Sequence, residues 1–168
     1  MTFKFIILGS GSSMGVPSAD GNFGNCDPKN KKNYRTRCSA LIKFNNKNIL
    51  IDTSPDLRSQ LISNKIKSID KIFYTHLHAD QTHGINDLRT FFLMNKEKIP
   101  VYADEITSKY LYSTFKYCFK EIKGYPSILA LNKLKKKHTF KNKSEKISIQ
   151  AIPVKHGKIE SIAYLFNN

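Results

Sequence analysis

At 168 residues, 40% of them hydrophobic, the chain is long enough for one domain with a sizeable core, and it has no apolar run near the roughly twenty residues that a membrane-spanning helix needs. The formal net charge of +15 would attract polyanions, yet only four of the 28 basic residues are arginines, at 35, 37, 58 and 89, so the charge reflects lysine-rich composition as much as a selected surface. Cys26, Cys38 and Cys118 are too few and too scattered for a disulfide framework; they are expected to be reduced, with Cys38 and Cys118 packing as small apolar residues.

Phe3 to Leu8 reads as the opening strand, without the charged leader or cleavage site of a signal peptide, and the cytoplasm is the expected location. The glycine-serine loop Gly9 to Pro17 lacks the Gly-Lys-Ser/Thr of a phosphate-binding loop; it is expected to bring backbone close to a neighbouring site. Residues 18–37 read as a long irregular connection. Cys38 to Phe44 and Asn48 to Asp52 form a hairpin around Asn45-Asn46-Lys47. Ser54 as cap and Pro55 as first helical residue open a helix that runs to about Asn64, with Leu57, Leu61 and Ile62 on its apolar face. Lys71 to Tyr74 is a short buried strand. Beyond it, Ile85 to Leu93 has helical spacing, Pro100 to Ala103 is a strand, and Asp104 caps a helix over Glu105 to Phe119 whose aromatic residues face the core. Ile128 to Leu131 is a strand, the lysine-rich run Lys133 to Lys143 is a solvated connection, Lys146 to Val154 alternates as a half-buried strand, and Ser161 to Phe166 is another.

One stretch carries chemistry. Thr75-His76-Leu77-His78-Ala79-Asp80-Gln81-Thr82-His83-Gly84 follows directly on the Lys71–Tyr74 strand. In extended backbone residues two apart point to the same side, so His76 and His78 can converge on one metal ion, and Asp80 adds an anionic ligand. His83 is not counted among the ligands. His156 stands immediately beyond another strand, before Gly157, and supplies the third ligand that a two-histidine site needs. Asp52, at the end of a strand, is expected to orient a ligand histidine through its second ring nitrogen.

These residues resemble the metallo-β-lactamase fold superfamily of metal-dependent hydrolases, whose His-x-His-x-Asp-His signature stands here as His76-Leu77-His78-Ala79-Asp80-Gln81. Leu8-Gly9-Ser10-Gly11-Ser12, Ile51 to Arg58 and His83 to Arg89 are similar to the branch that contains phosphoribosyl cyclic phosphate phosphodiesterase, with ribonuclease Z more distant. The resemblance implies an α/β fold, an αβ/βα sandwich formed by residues 1–168 as a single domain and incomplete in its C-terminal half. It implies His76, His78 and His156 around a first metal and Asp80 at a second, with Asp80 also orienting water as the catalytic carboxylate. Gln81, where the family has a histidine, would be a weaker, neutral ligand. One or two Zn2+ ions are expected, or Mn2+. The family's bridging aspartate and last histidine have no equivalent by Asn168, which suggests a truncated member. The function implied is hydrolysis of a cyclic phosphate or nucleotide-like phosphodiester; the alternative is a degenerate, non-catalytic protein that binds RNA or another polyanion. Expected partners are therefore a small phosphodiester or nucleotide, with RNA, a second copy in a homodimer, or a separately encoded C-terminal half as further candidates, and no membrane.

Overall fold

The computed structural model describes residues 3–142 and 145–167; Lys143, the last residue of the lysine-rich run, lies outside them. Two sheets face each other. The first is six-stranded, in the order β1 (Phe3–Gly9), β2 (Ser39–Phe44), β3 (Lys47–Ile51), β4 (Lys71–Phe73), β5 (Ile99–Ala103) and β6 (Leu129–Lys133). Its first three strands are antiparallel and the rest run parallel to β3. The second sheet is an antiparallel meander of β7 (Lys137–Asn142), β8 (Glu145–His156) and β9 (Ile159–Asn167). This is the α/β sandwich that the sequence implies.

Short apolar runs make the parallel strands, because both faces of the first sheet are covered. One face packs under the helices α1 (Leu57–Ser63), α3 (Arg89–Asn95), α4 (Glu105–Thr114) and α5 (Lys116–Phe119). That core holds Leu41, Leu50, Leu57, Leu61, Ile72, Leu88, Val101 and Leu111, all nearly inaccessible. The other face meets the second sheet through Ile42, Phe44, Ile49, Ile51, Phe73, Ile147 and Ile149. Alternation decides which residues those are: Ile147, Ile149 and Ala151 point inward from β8, while Ile152 and Val154 stay exposed.

Phe73 is the hub of this second core. It is fully buried; its ring stacks on Tyr102 at 4.7 Å and meets His138, Phe140 and Tyr164 edge-on at 5.2, 6.1 and 5.5 Å. Edge-to-face pairs at such distances add to simple area burial. Because β4 leads straight into the histidine stretch, this packing also anchors the candidate site.

Four local expectations need correction. The helix over Glu105 to Phe119 breaks at Phe115, whose φ −116° and ψ 39° leave the helical region, into α4 and α5; Phe115 is thereby buried. The lysine-rich run is not merely a solvated connection: β6 ends within it and β7 occupies Lys137 to Asn142, with His138 buried and Lys137, Thr139 and Lys141 exposed. The α1 helix starts at Leu57 behind Asp56, which makes no side-chain capping bond, so Ser54 and Pro55 lie before it. Cys118 is buried as expected, but Cys38 is exposed, its Sγ 3.2 Å from the carbonyl of Gly11.

Removing the hub should loosen the contact between the sheets. Phe73→Ala is expected to cost about 3–5 kcal/mol, the usual range for deleting a buried aromatic ring, and denaturant unfolding measures it.

Candidate metal centre

The C-terminal ends of β3 and β4 lie side by side, and the site is built there. Asp52, just past β3, has φ 59°, a left-handed conformation that aspartate tolerates better than most residues. Its N–H donates to the carbonyl of Phe73 at 2.9 Å. Its own carbonyl accepts the Ser39 hydroxyl at 3.0 Å. So held, the buried carboxylate accepts the Thr75 N–H at 2.7 Å and the Thr75 hydroxyl at 2.8 Å. Burial pushes the Asp52 carboxyl up to about 7, against the lowering effect of the two Thr75 hydrogen bonds, and the nearby Asp80 charge adds to the rise.

The Thr75 hydroxyl also lies 2.9 Å from Nδ1 of His76. A hydroxyl has one proton, and toward an ionised Asp52 it donates that proton. It must then accept from His76, so Nδ1 carries the imidazole proton and Nε2 presents a lone pair. The Ser161 hydroxyl approaches the same Nδ1 at 3.4 Å. Asp52 thus acts on the second ring nitrogen of His76 through the Thr75 hydroxyl, without touching the ring. Burial, with the adjacent His78 and His156, lowers the pKa of His76 despite the opposing charges of Asp80 and Asp104. A neutral ring is the form that binds a metal.

Nε2 of His76 faces Nδ1 of His78 at 3.1 Å. His156, the last residue of β8, brings its ring to 4.7 Å from His76 and 5.3 Å from His78 between centroids. One ring nitrogen from each of the three lies within 4.8 Å of the other two. Neutral nitrogen donors converging from two sheets suit a divalent ion such as zinc, so the donor set fits a metal, and a lone pair already aimed by Thr75 fits it further.

Asp80 is not in that cluster. It lies in the first turn of α2 (Ala79–Thr82), and its Oδ2 accepts the Gln81 amide at 2.7 Å. Gln81 is buried and its carbonyl accepts the Thr53 N–H at 2.7 Å. His83 points elsewhere, exposed and against Phe115 at 5.3 Å. Gly84 closes the stretch: its N–H donates to the Thr53 carbonyl at 2.9 Å, and a Cβ there would stand 1.9 Å from the Ser54 carbonyl oxygen. Thr75 and Ser161 were absent from the residues singled out in the sequence. The adjacency of Thr75 to His76 is a signal for the first, while Ser161 is brought in only by the β9 pairing.

The family domain described as "Beta-lactamase superfamily domain" matches residues 47–167, which includes all three histidines. The chain belongs to the beta-lactamase superfamily. A solved structure, a new diphosphatase from the PhnP family, is 32% identical with a TM-score of 0.80 over 99% of this chain and 62% of that one. Human tRNase Z, short form, shares the fold at 19% identity and a TM-score of 0.62, covering 99% of this chain and 65% of that one. The octanoyltransferase of Porphyromonas gingivalis (strain ATCC BAA-308 / W83) is 31% identical over 162 residues, 96% of this chain and 32% of that protein. The chain therefore spans under two thirds of each of these relatives.

The proton chain predicts a specific defect. In Asp52→Asn an amide NH2 can replace the acceptor at Thr75, which then donates to Nδ1 of His76 and leaves Nε2 protonated. Zinc affinity, measured against a competing chelator at pH 8, is expected to fall about 10–100-fold, as for other partners that orient a metal-binding histidine, while circular dichroism stays unchanged.

Proposed function

We propose that the chain is a metal-dependent hydrolase of phosphodiester or diphosphate bonds, with His76, His78 and His156 as ligands of one divalent ion. The observation that carries this reading is the convergence of three ring nitrogens within 4.8 Å. The likeness to a PhnP-family diphosphatase at 32% identity supports the bond class. Zinc is the ion that three imidazoles suit best, with Mn2+ the second candidate.

A bound ion would supply Lewis acidity toward a phosphoryl oxygen and acidify a water. The chain's own residues do the rest. Thr75 and Asp52 hold the His76 proton on Nδ1, so that ring neither rotates nor changes tautomer. Gln81 holds Oδ2 of Asp80 and leaves Oδ1 to orient the attacking water or to ligate a second ion. Arg37 lies near enough to feel the Asp80 charge, but its guanidinium is committed to Asp56 at 2.7 and 2.9 Å. It stiffens the 35–37 segment and is not assigned to substrate.

With zinc added, the protein is expected to hydrolyse bis(p-nitrophenyl) phosphate or a dinucleoside diphosphate. His76→Ala should lower that rate by more than about 100-fold, since losing a ligand costs more than losing a partner that orients one. Stoichiometric zinc with no turnover of either substrate would contradict the reading. A variant that keeps its rate would do so too.

A further inference from the structure

A second ion at Asp80, which the family resemblance implies, would need a lone pair from the neighbouring side chain. Gln81 presents a donor instead. Its Nε2 donates to Oδ2 of Asp80 at 2.7 Å, so an N–H lies on a carboxylate oxygen that a cation would take. The reverse orientation of the amide would set two acceptor oxygens against each other. A hydrogen bond to an ionised oxygen is about twice as strong as a neutral one, and it fills the space in front of that oxygen.

The amide is not free to swing aside. Gln81 is 7% exposed, and its backbone is bonded on both sides. Its N–H donates to the His78 carbonyl at 3.0 Å, and its carbonyl accepts the Thr53 N–H at 2.7 Å. Thr53 is itself buried, its hydroxyl 2.8 Å from that of Tyr74 and 3.0 Å from the Thr82 carbonyl. The half-buried Asp80 therefore has a partner that folding alone supplies.

The other candidate ligands near the pair are engaged. The Asp52 carboxylate takes both donors of Thr75 at 2.7 and 2.8 Å. The Cys38 thiol is held on the Gly11 carbonyl at 3.2 Å. His83 is turned against Phe115, with its Nδ1 3.1 Å from the Thr82 hydroxyl. Among the described residues, the three histidines are the one group of three or more metal-ligating side chains that converge on a point. Asp80 is nonetheless near enough for its charge to act on His76 and Asp52.

We propose that the site takes one divalent ion and that the Gln81 amide stands in the place of a second. The proposal rests on the metal-hydrolase reading above. The N–H offsets part of the charge on Oδ2 and fixes the plane of the carboxylate, which leaves Oδ1 for a water. Gln81 is a positioning residue: it acts through Asp80 and ligates nothing. In a two-ion site the direction of such a carboxylate depends on how full the second position is. Here it is set by the fold and does not vary with metal supply.

The test is an equilibrium titration of the chelator-treated chain with zinc and with cobalt(II), read by bound-metal analysis and by the visible absorbance of bound cobalt, with no turnover involved. The parent is expected to saturate at one equivalent, with any second equivalent at least about 100-fold weaker. Gln81→His offers a lone pair where the amide N–H stood. Gln81→Glu keeps the shape of the side chain and replaces the donor with a carboxylate. Each is expected to bind a second equivalent at least about tenfold more tightly than the parent does, and circular dichroism identifies a variant that fails to fold. Two equivalents of comparable affinity in the parent would overturn the proposal, as would folded variants whose second equivalent binds no better than the parent's. A parent that binds no metal removes the metal-hydrolase reading and this proposal with it. One equivalent bound by a protein that turns over no phosphodiester removes the hydrolase chemistry and leaves the single-ion site standing.

Discussion

The buried carboxylate of Asp52 is the interaction on which the site depends. It joins the ends of two adjacent strands: its backbone pairs with Phe73 and Ser39, and its side chain takes both donors of Thr75. A buried carboxylate is costly unless it is hydrogen-bonded, and here each oxygen has a partner. Once the strand ends are tied, the direction of one hydroxyl proton determines which nitrogen of His76 is free. A residue that never touches the ring thereby sets its chemistry.

The two cores serve that arrangement differently. The helix-covered core makes β3 and β4 rigid, and the aromatic cluster around Phe73 fixes the second sheet against them. His156 reaches the site only because β8 and β9 dock on that cluster. The N–H of Ile162 on the Thr75 carbonyl closes the connection. The three-histidine cluster is thus a consequence of that packing.

Much of this was legible in the residues. Hydrophobic alternation and short apolar runs located most strands, because a half-buried pleat demands period two. The spacing of His76 and His78, with His156 beyond a second strand, pointed to residues that the fold brings together. The lysine run misled because charge at Lys137 and Lys141 hides a strand whose inward positions are His138 and Phe140. The α4 break at Phe115 was illegible, since aromatic residues continue on both sides of it. The Asp52 relay depends on a hydroxyl 23 residues away in the chain, and no local pattern encodes such a contact. Asp80 follows the motif, and its Oδ2 accepts the Gln81 amide, a contact that spacing alone does not reveal.

The proposed metal site places the three histidines around one ion, with the His76 proton kept on Nδ1. Nitrogen-15 NMR of the histidine rings during a zinc titration addresses it most directly. Nε2 of His76, Nδ1 of His78 and one nitrogen of His156 are expected to shift together and saturate at one equivalent, while Nδ1 of His76 keeps its proton. Saturation without His156, or zinc bound through Nδ1 of His76, would contradict it.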